Sequence, residues 1–301
     1  MTARRVAISA LWLALLVLCW PPVKTAVSLG WDGGRDVQMF AAPLFVMFLM
    51  YWERNRIFAG AAWNVRVGAP LLAVAVPAYL FLRFYGSGGP SLTISVAILV
   101  SLAAFILCFG LRSFRAACFP LGCLLLMIPV PDSAMDKITA GLQHGSAAVS
   151  FQMLRLAGIP VFAEGMRMSL KGLEIEVAPE CSGIRSCLAL ALLGLLAGRV
   201  CLRSGWNCLA LVVATIPIAI LKNALRISVL SSLAAYVNPA FLYGRLHQYG
   251  GLVFTPLGVV LFVALLAALQ RYEAWEARRR TIRFVANPAF KITRTAIPEN
   301  E

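Results

Sequence analysis

Eight apolar stretches, each close to the length that crosses a bilayer, leave this chain few folds to choose from. They run over residues 6–22, 37–52, 67–84, 91–110, 115–131, 184–201, 207–236 and 249–270. A helix satisfies its own backbone groups, so about 17–25 apolar residues can traverse hydrocarbon in that form. The first, second and fifth stretches are short or contain proline and are equally compatible with re-entrant segments. Composition agrees: 60% of the 301 residues are hydrophobic and 13% charged, against about 45–50% and about 25% in soluble domains. The expected fold is an all-α polytopic membrane protein of about eight transmembrane helices. A small extracytoplasmic amphipathic helix and a β-hairpin are inserted in it.

The charges between the stretches set an orientation. Arg4 and Arg5 precede the first stretch. Arg54, Arg56 and Arg66 fill the second gap, Arg112 and Arg115 the fourth, Arg199 and Arg203 the sixth. Arg271, Arg278, Arg279, Arg280 and Arg283 follow the last stretch. These basic gaps alternate with neutral or balanced ones, so the positive-inside rule puts both termini in the cytoplasm. The net charge of +14 is therefore a topology signal, and its scatter in short clusters argues against nucleic-acid binding. Residues 1–20 read as an uncleaved first span: no small-x-small cleavage site follows, and Leu18 before Cys19 makes no lipoprotein box. Residues 1–275 form one transmembrane domain, with an outer loop at 131–183, and 276–301 a polar cytoplasmic tail.

The outer loop is the longest gap. Met135, Ile138, Leu142, Val149 and Met153 recur at helical spacing over 132–156, which predicts an amphipathic helix lying along the membrane surface. Residues 166–170 and 173–177 alternate apolar and polar side chains around Lys171-Gly172, a hairpin pattern. Its second strand leads into Cys181. The other seven cysteines lie in or at the ends of apolar segments, where they act as small hydrophobes, so no disulfide framework is expected.

Cys181 stands in Ala178-Pro-Glu-Cys-Ser-Gly-Ile-Arg-Ser186, at the start of a long helix. A helix N-terminus stabilises an anion and raises the thiolate fraction, and thiolate is the nucleophilic form. Arg226 lies inside the seventh stretch, where a charge costs about 2.5–3.5 kcal/mol on insertion scales and needs a partner. Lys222 precedes it by one turn. His247 begins the eighth stretch on the outer side, and imidazole is the usual proton-transfer partner of a thiol. His144 is read as a polar-face residue. Topology alone brings Cys181, Arg226 and His247 to one membrane face. Nucleophile, base and fixed cation are the parts of acyl transfer through a thioester. Taken singly, each also has a structural reading: a packed thiol, an ion pair, an interfacial histidine.

The strings Glu180-Cys-Ser-Gly-Ile-Arg-Ser186, Asn223-Ala-Leu-Arg-Ile227 and His247-Gln-Tyr-Gly-Gly251 resemble the exosortase/archaeosortase family, as do Leu156-Ala-Gly-Ile-Pro-Val161 and Glu164-Gly165. The resemblance covers roughly 95–270. It implies a membrane cysteine transpeptidase or protease of the PEP-CTERM sorting type in the cell inner membrane. Cys181 would be nucleophile, His247 general base or thiolate partner, and Arg226 oxyanion stabiliser. Its substrates would be C-terminal tails of exported proteins, carrying a Pro-Glu-Pro-like motif, an apolar helix and a basic end. The acceptor would belong to exopolysaccharide or the cell envelope. Arg185, one turn after Cys181, would bind an acidic motif, favour the thiolate, or anchor the helix at the interface. No motif points to a metal or organic cofactor. Two other classes fit the same composition: a transporter or polysaccharide-export component that binds an anion through Arg226 and Lys222, and a non-catalytic assembly factor. A transporter predicts paired repeats, and no clear repeat is visible.

Overall fold

The chain is described by a computed structural model at residues 23–25, 28, 37–86, 89–171, 173–177, 182–242 and 245–285, with backbone alone at 37, 40, 163, 242, 245–252 and 282–285. The elements are α1 (Val37–Trp52), α2 (Arg54–Ile57), α3 (Val65–Tyr85), α4 (Pro90–Ala116) and α5 (Cys118–Gly122), which continues as a 3-10 turn (Cys123–Met127). Then come α6 (Asp132–Leu156), β1 (Val161–Glu164), β2 (Arg167–Leu170) and β3 (Leu173–Glu176). The chain ends with α7 (Ile184–Cys201), α8 (Gly205–Val213), α9 (Thr215–Tyr236), a 3-10 turn (Pro239–Leu242) and α10 (Arg245–Val285). Local signals set several ends. Asn64 Oδ1 accepts from Val67 N at 3.2 Å to start α3, and Gly86, at φ 63°, closes it in the left-handed region.

Among the described residues, five helices are long and apolar enough to cross a membrane, or six if one bent pair counts as a single span. The expected eight are thus met in part. The 6–22 stretch lies outside the described residues, and α1 has only 16 residues. The 115–131 stretch is not a straight span. Its α5 and 3-10 turn meet α6 at 94°, because Pro129 and Pro131 exclude continuous helix there. Pro217, near the start of α9, likewise lacks the N–H that would join it smoothly to α8. The last helix runs on to Val285, past position 276.

The basic gaps converge on one end of the bundle. Arg199 makes a bidentate bond to Glu53 at 2.7 and 2.9 Å, Arg56 reaches Glu53 at 3.2 Å, and Arg56 donates to Ala116 O. Glu273 accepts from the backbone of Arg203 and Ser204 and from Asn207 Nδ2. Four clusters far apart in sequence therefore share one end. The strands mark the other, where Lys171 stands 4.6 Å above the Tyr236 ring at the end of α9.

The 132–156 helix corrects an expectation. It does not lie across the end of the bundle but runs parallel to α9: Gly145 faces Ile220, Ser150 Oγ donates to Ala224 O at 3.0 Å, and Ser228 Oγ reaches Ser150 O and Met153 Sδ. The buried face carries the expected Met135 and Leu142, with Val149 and Met153 half-buried, and only Ile138 of the five is exposed. Thr139, Gln143, Ser146 and Ser150 are buried on it as well, and in a span polar side chains are kept to the bundle interior.

The hairpin is present, with Leu170 opposite Leu173 around Lys171-Gly172. It is extended by β1 into an antiparallel sheet of order β1-β2-β3. Met168, Leu170 and Val177 pack on Ala147 and Leu154 of α6 and Ile227 of α9, which seats the sheet on the paired helices.

Gly68 lets α3 and α4 touch: a Cβ there would stand 2.5 Å from Leu107 Cα and 2.6 Å from its N. Small residues permit such backbone approach in membrane bundles. Gly68→Ala should destabilise the protein by about 1–3 kcal/mol. Thermal unfolding in detergent checks it, and an unchanged midpoint would exclude the contact.

Candidate active site

The site is built where α7 begins. Gly183 is its N-cap, at φ 78°, a conformation that suits glycine. A Cβ there would lie 3.4 Å from both Cβ and Cγ of Asn223 and 3.8 Å from Ala219 O. Ser182 is buried, and its Oγ accepts from Ile184 N at 3.3 Å. The head of α7 is thus seated on α9 at Asn223.

Cys181 itself lies outside the described residues. Two residues of chain span at most about 7 Å, so Cys181 is tethered within that radius of Gly183. The chain before it is also fixed. Val177 N donates to Met166 O at 3.1 Å, and Val177 O accepts from Gln143 Nε2 at 2.9 Å in a buried contact. Gln143→Glu sets an acceptor against that carbonyl. The unpaired groups should cost about 1–3 kcal/mol, and turnover should fall with them. Unfolding and processing assays on the same preparation check it, and wild-type values in both would remove Gln143 from the scaffold.

Arg226 follows Asn223 by three residues, so the two are neighbours on the surface of α9. It therefore stands one turn beyond the point where Gly183 rests. The depth of this point can be measured twice. The 18 residues of α7 reach about 27 Å from the basic end at 1.5 Å each. On the continuous Gly205–Tyr236 run, Asn223 stands about 27 Å above Gly205. Both agree with a hydrocarbon thickness of about 30 Å. Arg226 is therefore at a span's length from the basic end, level with or just beyond the α7 head.

The other sequence candidates fall less closely. Arg185 is exposed on the first turn of α7. His247 is in the first turn of α10, and only its backbone is described. Gly258 of the same helix packs on Lys222. His247, eleven residues earlier, is thus about 16 Å farther toward the sheet end and about 10 Å beyond Arg226 along the axis. The described atoms bring Arg226 to the Cys181-bearing segment but leave His247 two turns farther out. His144 is exposed, with Nδ1 2.9 Å from Ala140 O. Among the described residues no cluster of three or more His, Cys, Asp or Glu could hold a metal.

Two residues near the site, Gln143 and Ser150, escaped the sequence reading, and Ser186 and Asn223 stood in the quoted strings without a role. The signal for the first two was present as polar residues at 139, 143, 146 and 150, spaced four, three and four on one helix. The described residues put Arg226 of α9 one turn from the head of α7, with buried polar side chains of α6 and α9 nearby, and a guanidinium so placed can stabilise a developing oxyanion.

Comparison with known proteins gives one match. The model of the family described as Transmembrane exosortase (Exosortase_EpsH) matches residues 30–266. No curated protein and no solved structure matches the chain.

Proposed function

Because the chain belongs to the transmembrane exosortase family, we propose that it is a membrane-embedded cysteine transpeptidase that cleaves C-terminal sorting signals of exported proteins. Its site lies on the extracytoplasmic face of the inner membrane, and both termini lie in the cytoplasm. The convergence of basic gaps at the other end supports that orientation.

In this reading the Cys181 thiolate attacks the scissile carbonyl carbon. Arg226 stabilises the oxyanion that forms. The C–N bond then breaks, the leaving amine takes a proton from His247, and a thioester remains. An acceptor nucleophile then attacks the thioester, giving its proton to the neutral His247, and the C–S bond breaks to release the thiolate. The acceptor belongs to exopolysaccharide or the cell envelope. Substrate engagement has to close the axial distance between His247 and the thiol.

The observation that carries this reading is the seating of Gly183 on Asn223, one turn from Arg226. It supplies the proximity that the chemistry requires. The test is co-expression with a secreted protein that bears a Pro-Glu-Pro-like motif, an apolar helix and a basic end. Wild type should trim the tail, and Cys181→Ala, Arg226→Ala and His247→Ala should not. Equal trimming by Cys181→Ala would overturn the nucleophile assignment.

A further inference from the structure

Lys222 is buried inside a candidate span, at 3% exposure. Its ammonium donates to Ser186 Oγ on α7. Its stem lies between helices: a Cβ added at Gly258 of α10 would meet Lys222 Cδ at 3.4 Å and Leu190 Cδ1 of α7 at 3.8 Å. The side chain is therefore placed at both its stem and its head before anything binds. An ammonium carries three N–H donors, and a hydroxyl partner uses one without neutralising the charge. Among the described residues no carboxylate comes within ion-pair distance of it.

The surroundings add to the positive potential. Arg226 follows one turn later on the same helix face, and the positive end of α7 points toward the same region. A residue kept only for packing would be cheaper as methionine, which has similar length and no charge to bury. A buried cation without a described counter-charge has the form of half an ion pair.

We propose that Lys222 is a specificity-determining residue whose ammonium pairs with a carboxylate side chain of the polypeptide substrate. The inference rests on the reading that the substrate is a polypeptide, whose anionic groups are carboxylates. Lys222 lies about 6 Å from Arg226 along α9, toward the basic end. An extended chain advances about 3.3 Å per residue. The recognised acid is thus about two residues from the bond held at Arg226, on the side that enters the bundle. Ser186 is a positioning residue, because it aims the ammonium.

The test uses full-length protein carrying Cys181→Ala, in nanodiscs, so that binding is read without cleavage. Two synthetic tails are compared that differ only by Glu or Gln in the motif. With Lys222 present, the Glu tail should bind about tenfold tighter or more. With Lys222→Met that ratio should fall to about one, and the Gln tail should bind as before. Lys222→Met should also unfold at a temperature no lower than its parent. A ratio unchanged by Lys222→Met overturns the proposal. So does equal weakening of both tails, which points to packing or to pairing with the thiolate. Failure of the catalytic reading appears separately, as no cleavage of either tail by protein with Cys181 intact.

Discussion

Cys181→Ala should lower tail cleavage by about 10⁴-fold or more, the scale on which loss of a nucleophile acts. The substitution removes one sulfur between two described points that other atoms hold. Val177 is held by Gln143 and Met166, and Gly183 rests on Asn223, so the scaffold does not depend on the thiol. Expression and unfolding temperature should therefore match wild type, and the loss should lie in the chemical step. Cys181→Ser keeps an oxygen nucleophile but forfeits the thiolate, which the positive end of α7 favours. It should fall nearly as far as alanine. The measurement is cleavage of a purified tailed substrate, by mass spectrometry, at matched protein concentration. An acyl-enzyme trapped on the wild type with a slow acceptor would give the complementary signal. Residual cleavage within tenfold of wild type by the alanine variant would exclude Cys181 as nucleophile.

The second large effect is expected at Arg226. Removing a preformed donor to a developing oxyanion costs about 10²–10³-fold in kcat, and Arg226→Ala should fall in that range with KM little changed. Arg226→Lys should recover only part of the loss, because an ammonium is a point charge without the planar fork of a guanidinium. Lys222 does not substitute for it, since its position on α9 is one turn, about 6 Å, nearer the basic end. Steady-state kinetics on purified variants separate the two constants. A loss confined to KM would make Arg226 a binding residue and remove it from the transition state.

Much of this molecule is legible from sequence because hydrophobicity and charge act locally. The stretches 37–52 and 184–201 recur as α1 and α7 to the residue, since the boundary between apolar and polar residues is also that between lipid and water. The Lys171-Gly172 turn and its register follow from a period of two that any one-residue slip would break. The clusters at 54–56, 112–115 and 199–203 announced a common end, and Glu53, Ala116 and Glu273 bond there.

Tertiary structure decided what depends on partners. The stripe Thr139, Gln143, Ser146 and Ser150 is buried beside Met135 and Leu142, and which helix covers that face depends on where α9 lies, which the pattern of α6 alone does not state. The 94° bend before α6 broke the expected 115–131 span and set α6 against α9. Sequence put Cys181 and Arg226 on one membrane face. Only the contact of Gly183 with Asn223 sets the head of α7 one turn from Arg226, since two helices settle their relative height by the packing of a few atoms, and no run of residues along either helix encodes that height by itself.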